Sequence, residues 1–266
     1  MIREHTLART PLLRLVRFDH PEECLHQDPA EEVAECFSLN FAERGGFDLQ
    51  FGRRHATVLR GTVFLTQPGM RYRCRHASDW PDDVFVSLEM DSTFVRDAWR
   101  FAGQGPAWRT GVMPSSNRLE YLRERLLRAA ASTDALALEG IAGELLAAMG
   151  EGNSAVLFGA RQVRWYAERV DFVRELLERE YAQPHSLAAL GRRVGMSAFH
   201  FAHVFRELTG TPPHRYLLGA RLAHAAERLR QGATVTDTCY AVGFSNLSHF
   251  IRSFRRNFRV SPSRFR

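Results

Sequence analysis

The sequence predicts an α+β protein in two parts: a β-rich N-terminal barrel accompanied by helices, and an all-helical C-terminal domain built on a duplicated two-helix unit. Three observations predict it. Alternating apolar and polar residues dominate from about residue 10 to 105. Helical spacing takes over after about residue 115. A segment beginning at Val194 recurs 48 residues later. At 266 residues the chain is long enough for two domains.

The strand region is read from its periodicity. Phe37, Leu39 and Phe41 alternate with polar residues, and so do Phe47, Leu49 and Phe51. Glu43-Arg44-Gly45-Gly46 lies between them as the turn of an expected hairpin. Further alternating runs are 57–66, 70–76 and 84–90, and Pro68-Gly69 marks another turn. Several short strands at this spacing predict a barrel or sandwich. Two amphipathic helices follow. Leu119, Leu122, Leu126 and Leu127 form one stripe; Leu138, Ile141, Leu145 and Leu146 form the other. Ser115-Ser116-Asn117 and Ser132-Thr133-Asp134 offer their N-caps, and these helices are expected to cover the barrel or pair with a second subunit. Gly150-Glu151-Gly152-Asn153-Ser154 has linker composition.

Charge separates the two parts. Residues 164–266 hold 17 arginines against 8 acidic residues, a net +9, whereas residues 1–163 carry a net −3. The chain contains no lysine. A basic excess confined to the helical part suits a polyanionic partner such as the DNA backbone. No apolar run approaches a membrane span, and the start MIREHTLARTPLL lacks a signal peptide's apolar region and cleavage site, so a cytoplasmic location is expected. The four cysteines form no CxxC pair and are expected to be reduced; Cys74 with His76 is read as an alternating strand rather than a metal pair.

The repeat carries the functional argument. Val194-Gly195-Met196-Ser197 followed by Phe201 and Phe205-Arg206 matches Val242-Gly243-Phe244-Ser245 followed by Phe250 and Phe254-Arg255. The offset is 48 residues up to the serine and 49 beyond it. In the first copy Ser186 caps a short helix bearing Leu187, Leu190 and Val194, Gly195 makes a turn, and Ser197 caps a second helix that Gly210 ends. In the second copy Thr234 and Asp237 resemble a capping box, Gly243 makes the turn, and Ser245 is expected to cap the last long helix. A helix from about Pro213 to Arg230 joins the copies. Each copy is thus a helix-turn-helix, over about 186–209 and 234–258, with recognition helices expected at 197–209 and 245–257.

With these motifs in place, the stretch from about residue 165 to 266 resembles the AraC/XylS family of bacterial regulators. The most specific match runs from Ala241 to Pro262, through the phenylalanines at 250, 254 and 258. The resemblance implies a transcription regulator, often an activator that contacts RNA polymerase. It also implies a cupin-like N-terminal barrel for effector binding or dimerisation. The expected organisation is therefore a sensing or dimerisation domain at 1–155, a linker at 156–162, and a DNA-binding domain at 163–266.

Stepping 100° per residue from the inward phenylalanines places Phe199, Ala202, His203 and Arg206 on the groove side of the first recognition helix. Ser248, Ile251, Arg252 and Arg255 occupy that side of the second. Arg252 is the leading candidate for reading a guanine; His200 and His249 are read as structural. Double-stranded DNA is the expected partner, with a homodimer and an unidentified small-molecule effector as further expectations. No membrane, cofactor, metal or catalytic residue is expected: no H-x-H pair, GxSxG, P-loop or GxGxxG occurs in the chain. Candidate pocket-lining residues in the barrel are Phe64, Tyr72, Trp80 and Phe85.

Overall fold

The computed structural model describes residues 3–20, 30–75, 83–102, 111–132, 134–149 and 158–265. The chain divides into two compact domains, Met1–Val163 and Arg164–Arg266. The linker composition at 150–154 lies outside the described residues, as do Trp80 and His76; within the expected linker at 156–162, helix already begins at Ala160.

In the N-terminal domain the strands are β1 (Arg3–Arg9), β2 (Leu13–His20), β3 (Glu32–Val33), β4 (Phe37–Arg44), β5 (Gly46–Phe51), β6 (Arg54–Leu59), β7 (Thr62–Thr66), β8 (Arg71–Arg75), β9 (Asp83–Met90) and β10 (Gly111–Pro114). They form a six-stranded sheet ordered β1-β2-β9-β4-β7-β10 and a four-stranded sheet ordered β3-β8-β5-β6. Helix α1 (Ser92–Ala102) interrupts what the alternation read as continuous strand; Asp91 starts it by accepting from Thr93 N at 2.7 Å.

Two expectations are corrected here. β4 and β5 are not a hairpin: β4 pairs with β7 and β9, while β5 pairs with β6 and β8. Gly45, at φ +66°, turns the chain from one sheet into the other, at a point where a Cβ would sit 2.7 Å from Asp83 Cα. A corner between packed sheets demands a residue with neither a Cβ nor a φ preference. The run 57–66 is two strands, because Gly61 at φ +86° folds β7 back after β6, and the Thr62 hydroxyl closes the turn on Leu59.

The larger sheet is buried on both faces at its central strands, while its edge strand β1 is exposed. Leu39, Phe41, Leu65 and Leu88 point to one side and are 0–1% exposed. On that side Trp99 of α1 packs edge-on against Phe37 at 5.9 Å. Arg123 of α2 (Asn117–Ala131) reaches Glu43 at 2.7 Å. α2 packs on α3 (Ala135–Met149), and the leucines of both stripes are largely buried within the domain. The other face carries Ser38, Asn40, Thr66 and Ser87, and looks toward the smaller sheet across a cavity. The alternation in β4 thus separates a helix-facing apolar side from a cavity-facing polar side, not core from solvent.

The C-terminal domain is helical: α4 (Ala160–Arg179), α5 (Leu187–Arg193), α6 (Ala198–Thr209), α7 (Pro213–Arg230), α8 (Val235–Ala241) and α9 (Leu247–Phe258), with a final 3₁₀ turn at Pro262–Arg264. Phe201, Val204, Phe205 and Leu208 form the core under the first unit, and Cys239, Val242, Phe250 and Phe254 form that of the second; all are 0–1% exposed.

Candidate nucleic-acid interface

Local chemistry sets the two recognition helices. Ser186 caps α5 by accepting from Ala189 N, and Gly195, at φ +70°, reverses the chain. Ser197 caps α6, accepting from His200 N at 3.3 Å, and Gly210, at φ +73°, closes it. Each cap satisfies an amide that the helix itself leaves without a partner. In the second unit Thr234 accepts from Asp237 N at 3.1 Å while its hydroxyl donates to the Asp237 carboxylate at 2.7 Å. Gly243 makes the turn at φ +85°. The cap of α9 is Asn246, accepting from His249 N at 2.9 Å, and not Ser245. The extra residue in the second turn moves the cap by one, so the second recognition helix, cap included, is 246–258 rather than 245–257.

The two turns differ in their surroundings. A Cβ on Gly195 would meet open space, whereas one on Gly243 would lie 2.4 Å from the Ala182 carbonyl oxygen. The loop carrying Ala182 is held by Arg221 of α7, which donates to the carbonyls of Tyr181 at 2.7 Å and Gln183 at 2.9 Å. His224 stacks on Tyr181 with ring centroids 3.8 Å apart. Residues that precede the first unit therefore floor the turn of the second. At about 1.5 Å per residue, α7 alone spans about 27 Å.

The residues expected to face DNA are distributed as follows. Phe199 is 85% exposed; His203, Arg206, Ser248, Ile251, Arg252 and Arg255 are all exposed, and Ala202 is half-buried. Each recognition helix thus has one buried phenylalanine face and one open face. His200 bonds to the Tyr166 hydroxyl of α4 at 3.0 Å, and His249 leans on Phe244 at 5.5 Å, as structural roles require.

The arginines of this domain fall into two groups. Arg174 is bonded to Tyr216 at 3.1 Å and Asp171 at 3.5 Å, Arg221 to backbone carbonyls, and Arg169 lies 3.5 Å over the Trp165 ring. Those guanidinium groups are used in holding helices together. Arg206, Arg252 and Arg255 have no ion-pair partner among the described residues, so their donors are available to a ligand. Sequence reasoning passed over further exposed cations at Arg192, Arg193, Arg256 and Arg259, and an exposed Tyr240, 58% accessible, on α8. Basic density at the helix ends was the signal available for them. Arg259 sits in the left-handed region at φ +63°, the position that Gly210 fills in the first unit.

A family model described as a helix-turn-helix domain matches residues 190–266. The transcriptional activator RhaS of Escherichia coli O139:H28 is 35% identical over 97 residues, which cover 36% of this chain and 35% of RhaS. A probable AraC family transcriptional regulator from Rhodopseudomonas palustris is 33% identical over 36% of this chain and 92% of its own, with a TM-score of 0.34. By its C-terminal domain, the chain belongs to the AraC/XylS family. The chain spans about a third of the length of the curated relatives that it matches. ToxT from Vibrio cholerae aligns over 96% of this chain at 13% identity, with a TM-score of 0.39. No helix among the described residues is long and apolar enough to cross a membrane.

Proposed function

We propose that this chain is a sequence-specific transcription regulator that lays α6 and α9 into successive major grooves. The observation that carries this is the pair of open recognition faces, with unpaired arginines, in a domain of net +9. Arg252 reads a guanine through its two parallel donors, and Phe199 meets a thymine methyl. Arg206 and Arg255, a turn further along, bind phosphates, and so fix register rather than sequence. The N-terminal barrel senses a small molecule in the cavity between its sheets, and activation proceeds through RNA polymerase. A homodimer would form through α2 and α3, where Leu136 is 81% exposed.

Selection of bound sequences from random duplex DNA by the full chain tests this reading. The expected outcome is a site of two short blocks about 10 base pairs apart. No enrichment at moderate salt would remove it.

A further inference from the structure

The cavity of the N-terminal domain has a volume of about 630 Å³, within the range of drug-sized ligands. Its wall on the larger sheet is ordered in cross-strand rows. Arg14, Glu89, Ser38 and Thr66 make the first row, and Ser87, Asn40 and Phe64 the second. Phe18 and Phe85 make the third, stacked at 4.9 Å, and His20 and Asp83 close the series as a buried pair 3.3 Å apart. Phe47 and Tyr72 face these rows from the smaller sheet, with Phe47 5.9 Å from Phe85 and Tyr72 5.6 Å from Phe64. The cavity wall therefore runs from a charged row, through a polar row, to an aromatic row closed off by the His20–Asp83 pair.

The charged end is acidic. Glu89 and Glu35 line it beside Cys36, with Glu32 bonded to Tyr72 on the facing sheet, and Arg14 is their one cationic side chain among the described lining residues. Arg14 is already committed, since its Nε and Nη2 donate to Glu89 at 2.7 and 3.1 Å, and its Nη1 to Glu4 at 2.9 Å. In the polar row the amide donors of Asn40 are spent within the wall. The Asn40 amide donates to Ser38 Oγ at 2.7 Å and the Phe64 carbonyl at 3.1 Å. That leaves Asn40 Oδ1, on a side chain 6% exposed, as an acceptor into the cavity with no partner among the described residues. Burial first, and carboxylates second, raise the Cys36 thiol to about 11 and hold the Tyr72 phenol and Cys74 thiol above their ordinary values. All three line a space of low dielectric and negative potential.

From this gradient we infer that the cavity takes an organic cation, an amine on an aromatic or apolar body, and turns away carboxylates. The rings of Phe18, Phe47, Phe64 and Phe85 receive the body, and cation–π attraction adds to its burial. The ammonium donates to Asn40 Oδ1 and to the Glu89 and Glu35 carboxylates. A carboxylate in the same place would meet the like charges of Glu89 and Glu35 and a guanidinium with its fork occupied. The inference rests on the reading of the barrel as the sensing domain.

Three indole probes of similar size test it on the full-length protein by calorimetric titration: tryptamine, tryptophol and indole-3-acetate. Tryptamine is expected to bind at least ten-fold tighter than indole-3-acetate, with tryptophol between them. Glu35→Gln, at an exposed site, should weaken tryptamine several-fold without changing the unfolding temperature. Glu89→Gln should weaken tryptamine and strengthen indole-3-acetate, because Arg14 loses its main partner. Indole-3-acetate binding as tightly as tryptamine, or no binding of any of the three below millimolar concentration, would overturn the inference. Tryptamine binding that leaves DNA affinity unchanged would keep the cavity's chemistry and remove the effector-responsive part of the proposed function.

Discussion

Replacing each turn glycine by alanine separates backbone strain from close packing. Gly195 and Gly243 share a left-handed conformation, at φ +70° and +85°. An alanine there costs about 1–2 kcal/mol in backbone strain, offset by about 0.4–1 kcal/mol from the stiffer unfolded chain. Gly195→Ala, with open space around its Cβ, should therefore lose about 1 kcal/mol. Gly243→Ala meets the Ala182 carbonyl oxygen at 2.4 Å, where ordinary contact begins at 3.4 Å, so about 1 Å must be found. Arg221 ties the carbonyls on both sides of Ala182, so the loop resists this shift. Overpacking adds about 1–3 kcal/mol, for a total of about 2–4 kcal/mol. In a domain of this size each kcal/mol lowers the melting temperature by about 4–8 °C. Urea unfolding of the fragment 160–266, followed by far-UV circular dichroism, would read both losses. Equal losses in the two variants would refute the claim that residues before the first unit floor the turn of the second.

The structure sets three further outcomes. Asn246→Ala should cost about 1 kcal/mol of stability in the same fragment, and Ser245→Ala less than about 0.5 kcal/mol, because only Asn246 caps α9; the reverse order would restore Ser245 as the cap. Arg252→Ala should weaken binding to the selected site by about 1–3 kcal/mol while barely changing binding to random DNA; an equal loss on both, in competition gel shifts, would make Arg252 a phosphate contact. Cys36, raised to about 11, stays protonated at neutral pH, so its alkylation in a variant lacking the other cysteines should rise about ten-fold per pH unit up to that value; a plateau near pH 8.5 would show an ordinary thiol.

The C-terminal domain was legible because its determinants are local. A cap, a glycine turn and a phenylalanine every four residues lie within one segment of sequence, and their repetition at 48–49 residues confirms the reading. The expected span of α7 and the buried phenylalanine faces appear in the structure as read. The misplaced cap shows the limit, since Ser245 and Asn246 are adjacent and both able to cap, and only the backbone around the inserted residue decides. Strand pairing in the barrel is non-local, so Gly45-Gly46 announced a turn without saying which sheet came next. Alternation at Ser38 and Asn40 likewise gives two faces but not what lies beyond each. That ambiguity hid the polar wall of the cavity, although Phe64, Tyr72 and Phe85 were read as candidate lining residues and do line it.

The single helix α7 has a consequence for the kind of DNA address this chain can hold. Dimeric helix-turn-helix proteins place identical reading heads about a two-fold axis, and their sites are palindromes. In the proposed function the heads lie in tandem on one chain, joined by about 27 Å of helix, and present different side chains: Phe199 and His203 in one, Ser248 and Arg252 in the other. No rotation exchanges them. A site that fits this pair reads differently from its two ends, so the bound protein acquires an orientation along the duplex, an upstream and a downstream side, without any second subunit to define it.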